Sequence, residues 1–466
     1  MTFLDRAKGS ALDVIAHRDA SVGTITLLSP AARQIRILKL ESNCLSDILR
    51  FSALNSGQLP ILRVLEITSS LEPYNLPGRP HVVDPPLPPF FKGSPNLERF
   101  VFCSEKFNYL GLFVFPNLTT FELSTCPVGA TSALYLLHFL KASPMLRTVK
   151  LETNRSIGLG NVPRGMIVVL PNVETFSLHV GGNGISAYTD DLDNSTHVYG
   201  VATHISCPRA KHTFLNQEVT DEDMSPDLEI EIFPYPVSWR RIVHQYATSP
   251  IEEVTLEIKC PNFEHAICSL IFRSSDATVI TLGFKAFETH AHPDRSGMSL
   301  EEVGWAAFSQ ACRTIRDHPQ LSHVKRLHIK YRAALWDLDQ VPEVADEVGK
   351  LFRFLGPLDE LTIHGCDLHV FVVAFLDHQD FTWLQLADPI LPPQIVFPQV
   401  KELAISHPLM KVHEKKCMDA LVNLARSQYD LGKPFERMTV CARVLPKVKE
   451  LRRWVGAVDC YEQSYE

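Results

Sequence analysis

Two short clusters in this chain carry the residue types that bind metals. His290-Ala291-His292-Pro293-Asp294 places two imidazoles and a carboxylate side by side. A zinc site needs ligands that converge, as from two histidines one turn apart on a helix or from two paired clusters. Here there is no helical His-x-x-x-His spacing and no second cluster, so the segment reads as a surface loop. His204, Cys207 and His212 are spaced too loosely to form such a site. Gly158-Leu159-Gly160 follows a strand pattern, but Pro163 interrupts the helix that would receive a phosphate, which leaves a turn. Gly181-Gly182-Asn183-Gly184 lacks the Lys-Ser/Thr that completes a phosphate loop. No Gly-x-Ser-x-Gly elbow occurs. The expected catalytic, cofactor-binding and metal-binding residues are therefore none, and no cofactor is implied.

The elements that would position any such group follow a different logic. Thirteen times the chain repeats one phrase: apolar, two residues, apolar, one residue, apolar. It reads Ile35/Leu38/Leu40, Leu62/Leu65/Ile67, Leu97/Phe100/Phe102, Leu118/Phe121/Leu123, Leu146/Val149/Leu151 and Val173/Phe176/Leu178. It continues as Ala210/Thr213/Leu215, Ile251/Val254/Leu256, Val279/Leu282/Phe284, Val324/Leu327/Ile329, Leu358/Leu361/Ile363, Val400/Leu403/Ile405 and Phe435/Met438/Val440. The copies at Ala210 and Val279 are the weakest matches. The closing apolar-x-apolar pair has the two-residue period of a strand with one buried face. Ten of the thirteen copies have a proline one or two residues earlier, where it ends the preceding segment without removing a ladder donor.

Copies start 21 to 45 residues apart, often more than the ~20–29 residues of a regular leucine-rich repeat. The longer intervals predict helices: Thr131 to Lys141, a helix opened by the capping box Ser299-Leu300-Glu301-Glu302, Glu343 to Leu355, and Met410 to Tyr429 stopping at Gly432. Alternating strands and helices give parallel strands with right-handed connections. The predicted fold is α/β: an irregular leucine-rich-repeat solenoid with parallel strands on the concave side and helices and loops on the convex side. Residues 1–34 form an N-terminal cap or edge segment, with Leu12-Asp13-Val14 as an edge strand. Residues 35–441 form the solenoid, with a weak point near 181–245, and residues 442–466 form a C-terminal helical cap and tail. The proline-rich stretch 73–95, the glycine-rich stretch 181–200 and the acidic stretch 218–231 read as exposed connections.

Composition narrows the class. The chain has 466 residues, 45% apolar and 21% charged, which is globular rather than disordered. Its 53 acidic and 45 basic residues give a net charge of -8, against nucleic-acid binding through a broad basic face. Eleven cysteines with irregular spacing and no Cys-x-x-Cys do not form a disulfide framework, and most are expected in the core. The densest apolar stretch, Val370 to Leu376, is far shorter than a membrane span. With no secretory leader at Met1, the sequons at Asn117, Asn154 and Asn194 are expected to be chance matches. A cytoplasmic or nuclear setting and no membrane partner follow.

Strand period also selects the exposed face. Residues between and flanking the apolar pair point away from the core. They are mixed in sign, small or charged, which suits contact with a protein better than a small-molecule pocket. The candidate partner-binding residues are Glu66, Glu122, Lys150, His179, His212, Phe214, Glu257, His328, Lys330 and His364. Phe214 with His212 is the one aromatic spot able to anchor a partner.

Several stretches carry a resemblance. Phe3-Leu4-Asp5-Arg6-Ala7-Lys8-Gly9-Ser10-Ala11-Leu12-Asp13-Val14 is one, and Leu27 to Leu40 (with Leu28-Ser29-Pro30-Ala31-Ala32) is another. A third is Leu87-Pro88-Pro89-Phe90-Phe91-Lys92-Gly93-Ser94-Pro95-Asn96-Leu97. Together they resemble the F-box and leucine-rich-repeat proteins expanded in mushroom-forming fungi. In that family an F-box docks the Skp adaptor of a cullin-type ubiquitin ligase, and the repeats select the substrate. No F-box-like Leu-Pro-x-Glu helix opens this chain, so the adaptor role attaches to no residue here, and a Skp-type adaptor is expected only if an F-box lies upstream. The expected function is a non-enzymatic protein-binding scaffold. The rival readings are an enzyme with its site in the long intervals 181–245 or 285–320, and a structural repeat protein without a specific partner.

Overall fold

The computed structural model describes residues 10–17, 29–42, 59–69, 94–104, 110, 113–125, 131–153, 157–159, 162–163, 165–181, 198–220, 242, 245–247, 249–262, 265–287, 300–316, 321, 323–332, 347, 349–352, 354–364, 400–406, 414–441 and 445–461. They belong to two compact units: Met1–Glu218 with Arg241–Thr248, and Val219–Arg240 with Ser249–Glu466.

The first unit contains β1 (Leu12–Ala16), β2 (Ile35–Ser42), β3 (Val64–Ser69), β4 (Arg99–Ser104), β5 (Thr120–Thr125), β6 (Thr131–Ser132), α1 (Ala133–Lys141), β7 (Thr148–Thr153), β8 (Ile157–Gly158), β9 (Val168–Val169), β10 (Thr175–Val180), α2 (Val198–Ala202), β11 (Ile205–Ser206) and β12 (His212–Thr220). Its main sheet runs β1-β2-β3-β4-β5-β7-β10-β12, every pair parallel. Two-stranded pieces, β6 with β8 and β9 with β11, occupy the return segments.

The phrase fixes the register. Leu38, Leu65, Phe100, Phe121, Val149, Phe176 and Thr213 are successive partners across the strands, and all are buried. The copy at Ala210 is thus a full repeat, although Thr213 fills an apolar slot and its hydroxyl finds no hydrogen-bond partner. At the strand starts, one carbonyl per repeat accepts two amides from the next. Glu98 O takes Thr119 N and Thr120 N, and Arg147 O takes Glu174 N and Thr175 N. A side-chain ladder reinforces this. Asn96, Asn117 and Asn172 each follow a proline and donate to the carbonyl of Pro60, Pro95 and Pro144 respectively, at 2.6, 2.8 and 3.1 Å. Beneath the sheet, Phe100 is ringed by Phe102, Phe113, Phe115, Phe121 and Phe139 at 5.1 to 5.9 Å between centroids. Phe139 comes from α1, which also buries Ala133, Leu136, Leu137 and Leu140, as its nearly all-round apolar surface predicts.

The second unit contains β13 (Ile251–Asn262), β14 (His265–Ser274), β15 (Val279–Phe287), α3 (Leu300–Arg316), β16 (Arg326–Arg332), β17 (Leu358–His364), β18 (Val400–Ser406), α4 (Glu414–Asp430), β19 (Arg437–Cys441), α5 (Leu445–Leu451) and β20 (Ala457–Tyr461). The strand order is β15-β14-β13-β16-β17-β18-β19-β20. From β13 through β20 the pairs are parallel, but β13–β14 and β14–β15 are antiparallel. This corrects the expectation of parallel repeats at Val279. The interval before it is itself a strand, with Ala266, Cys268, Leu270 and Phe272 buried on alternate positions. A tight turn at 274–278 then sends the chain straight back. Val279, read as an inward first position, instead shares the outward parity of Thr281 and Gly283, and Ile280 takes its place in the core.

The helices of this unit follow the sequence. α3 begins at Leu300, directly after Ser299, and turns Phe308, Ala311, Cys312 and Ile315 into the core. α4 ends where Gly432 adopts φ +71°. Lys433 N bonds Gln428 O and Gly432 N bonds Tyr429 O, the paired bonds of a Schellman stop. The expected helical cap and tail after residue 441 needs correction too. α5 is followed by β20, a further parallel strand with Met438 opposite Val458 and Val440 opposite Cys460. The class is mixed α/β with a mostly parallel sheet in each unit. The sheets are not closed, ending at β1 in the first unit and at β20 in the second.

Candidate partner-binding face

All ten candidate residues lie on the sheet face away from the core. In the first unit, Lys39, Glu66, Val101, Glu122, Lys150, Ser177 and Phe214 form one row across the strands. Glu152, His179 and Asn216 continue the next row, and His212 ends the row of Thr148 and Thr175. In the second unit, His328 lies between Thr255 and Thr362, and Lys330 between Glu257 and His364. Only Lys150, His212 and Phe214 are exposed, and the other seven are half-buried.

Much of this face is closed by ion pairs between neighbouring strands. Arg36 grips both carboxylate oxygens of Asp13 at 2.8 and 3.1 Å. Lys39 meets Glu66 at 2.5 Å, Arg63 meets Glu98 at 3.6 Å and Arg99 meets Glu122 at 3.1 Å. In the second unit Glu253 gathers Arg273, Arg326 at 3.3 Å and His328 at 3.8 Å. Lys325 pairs with Glu252, Lys401 with Asp359 and Arg437 with Glu402, and along β13 itself Lys259 pairs with Glu257. A hollow of about 350 Å³ between those strand starts is lined by such pairs, among them Glu252, Lys325, Asp359 and Lys401. Exposed pairs of this kind add little stability each, but they neutralise the surface. Burial pushes the His328 imidazole below its ordinary range, against the pull of Glu360 and Glu253.

The strands β7, β10 and β12 differ. Arg147, Lys150, Arg209 and Lys211 have no ion-pair partner among the described residues. Phe214 is 43% exposed, and its ring lies nearly parallel to His212 at 6.4 Å. Beside them His179 is held at both ring nitrogens. Its Nδ1 is 2.6 Å from Asn216 Nδ2 and its Nε2 is 2.8 Å from Glu218 Oε2. With the amide so placed, Asn216 donates to Nδ1 and Nε2–H donates to the Glu218 carboxylate. His179 is therefore a fixed wall of the site. A hollow of about 190 Å³ opens at the strand starts, lined by Met145, Arg147, Asn172, Glu174 and Arg209.

Of the ten candidates, Lys150, His179, His212 and Phe214 lie here, and Arg147, Arg209 and Lys211 were not among them. A signal existed for two of these. The residue after each first apolar position reads Arg36, Arg63, Glu98, Thr119, Arg147, Glu174 and Lys211, a charged column at the strand starts. Glu66, Glu122, Glu257 and His328 are engaged with neighbours on the same face.

The metal-like residues do not converge. His204 Nδ1 lies 2.7 Å from the Met166 carbonyl, and Cys207 is buried in the core, its thiol pushed up by desolvation. Among the described residues no three His, Cys, Asp or Glu side chains could hold a metal ion. Leu159 O accepts from Val162 N at 2.8 Å, the turn expected after Gly158. His290, His292 and Asp294 lie outside the described residues, as do the proline-rich stretch 73–93 and most of 182–241. No family model matches the chain, and no curated protein is similar enough to count as a relative.

Proposed function

We propose that the chain is an irregular leucine-rich-repeat solenoid that works by holding a protein partner rather than by catalysis, with β7, β10 and β12 as the centre of contact. The observation that carries this is the exposed Phe214–His212 stack among four unpaired cations, on a face whose other charges are largely satisfied by neighbours. Aromatic and arginine side chains at the centre of a surface are the residue types that carry binding energy. The protein works in the cytoplasm or nucleus, in keeping with the buried thiols of Cys207 and Cys312. No helix among the described residues is long and apolar enough to cross a membrane.

By its resemblance to F-box and leucine-rich-repeat proteins, the chain takes the substrate-recognising part in a ubiquitin ligase. A Skp-type adaptor would enter only through an F-box upstream of Met1. Affinity capture with and without any upstream F-box coding sequence tests this, and a longer form that recovers no adaptor removes the ligase part. The contact itself is tested by placing a photo-crosslinking phenylalanine analogue at position 214 in cells, with position 101 on β4 as control. A discrete protein adduct at 214 and none at 101 is expected. Equal labelling at both positions removes Phe214 as the centre.

A further inference from the structure

We infer that the β7–β10–β12 end of this face takes an acidic protein segment bearing an aromatic residue, a conclusion that rests on the protein-binding reading above. The argument is one of charge left over. Over β1 to β5 the outward Arg36, Lys39, Arg63 and Arg99 each have a carboxylate within 4 Å on an adjacent strand. The same fold could have closed Arg147, Lys150, Arg209 and Lys211 in that way, yet none is closed among the described residues. Toward the strand starts these four cations face a single carboxylate of the same strands, Glu174. Carboxylates gather at the opposite ends of the strands, where Glu152 is exposed and Glu218 is tied to His179.

The surface is therefore polar along the strands, basic at their starts and acidic at their ends. A segment laid on it places its acidic side chains at Arg147, Arg209 and Lys211. Between them Thr148, Thr175 and Ser177 are small, which leaves room for a backbone. Ser177 is the register partner of both Lys150 and Phe214, so the lysine and the ring stand two strands, about 10 Å, apart. A carboxylate and an aromatic side chain a few residues apart on the partner span that distance, and the ring can stack on Phe214. Glu152 and Glu218 oppose a uniform polyanion, so a protein segment fits better than a nucleic acid strand.

The test uses the full chain and short fluorescein-labelled peptides of defined composition, each with a central tryptophan: one Glu/Gly, one Lys/Gly and one Ser/Gly. A single-stranded oligonucleotide is added as a fourth probe, and binding is read by fluorescence anisotropy. The acidic peptide binds best, and binding weakens as ionic strength rises past ~0.15 M. Lys150→Glu with Lys211→Glu abolishes binding, Phe214→Ala weakens it about tenfold, and Lys325→Glu in the second unit leaves it unchanged. If the basic or neutral peptide binds as well as the acidic one and Phe214→Ala still weakens it, the acidic assignment is wrong and the scaffold reading stands. If the oligonucleotide outcompetes every peptide, the partner is a nucleic acid and both fall. If no peptide binds and Phe214→Ala changes nothing, both fall as well.

Discussion

Residues 95–123 and residues 251–284 each contain two copies of the same apolar phrase, and they fold in opposite senses. In the first stretch β4 and β5 run parallel. In the second, β13 and β15 are joined through β14 as an antiparallel meander. The buried positions obey the phrase in both, apart from Val279. The phrase therefore specifies which side chains enter the core and leaves strand direction open. Direction is set by the return. Between β4 and β5 the chain passes beneath the sheet, burying Phe113 and Phe115 against Phe100, and so comes back to start a parallel strand. Between β13 and β15 it alternates apolar and outward residues, which makes the return a strand in its own right.

The largest effect that separates the two stretches should come from the aromatic return. Phe100 is fully buried and touches five rings. Phe100→Ala removes the hub and leaves a cavity, at a cost of about 3–5 kcal/mol. Urea unfolding followed by circular dichroism measures it. A loss below about 1 kcal/mol would mean that the ring cluster does not pin the parallel crossover.

A smaller difference lies at the strand starts. The asparagine ladder belongs to the parallel repeats, and at the corresponding place in the meander Val279 follows Thr278. Asn117→Ala deletes the bond to Pro95 O and should cost about 1 kcal/mol. Asn117→Asp removes the donor while keeping the shape, and should cost at least as much. Thermal unfolding of the pair of variants reads this directly, and wild-type stability in both would show that the backbone bonds alone hold the repeats together.

How far the sequence was legible follows from the same physics. Period and proline placement gave away the core because burial acts on each strand separately: Leu65, Phe121 and Leu361 are inside wherever their neighbours come from. Direction depends on what the intervening residues do, and β14 went unread although Ala266, Cys268, Leu270 and Phe272 alternate plainly. The usual mark of its turn, a glycine at the left-handed position, is absent, because Ala277 stands there. β20 was hidden although Val455, Val458 and Cys460 keep the spacing of the phrase, because it follows a helix that already looked like an end. On the exposed face Phe214 was visible as a residue type. The vacancy of Lys150, Arg147 and Lys211 was not, since an ion pair requires knowing which strand lies next door.

Acidification should weaken the second unit where the meander meets the parallel strands. His328 on β16 faces Glu253 on β13 and Glu360 on β17, with Arg326 and Lys330 on its own strand. Burial holds its folded pKa below the ordinary 6.5. The unfolded chain therefore takes up the proton first as pH falls. The contribution of neutral His328 is complete above about 6.5 and is lost as pH drops toward the folded value. His328→Gln should show a shallower fall in the urea midpoint between pH ~7.5 and ~5.5 than wild type. Parallel slopes would remove this histidine as a source of acid sensitivity.

The smallest effect should be a gain, and it falls on the turn that creates the meander. Ala277 sits at φ +66°, where a side chain costs about 1–2 kcal/mol relative to glycine. The turn tolerates this because its bonds are otherwise complete. Ala277 N donates to Ser274 O, Ser274 N to Thr278 O, and Asp276 accepts from Thr278 N, Ser274 Oγ and Ser249 Oγ. Ala277→Gly relieves the backbone but frees the unfolded chain by roughly 0.4–1 kcal/mol, so the net gain should be about 0.5 kcal/mol. No matching gain is available between β4 and β5, where no described residue has a positive φ. Equilibrium unfolding of the glycine variant decides the point. A loss of stability would mean that the alanine methyl makes a contact worth more than the strain, and that the turn, rather than the alternation of β14, is what commits this return to run backwards.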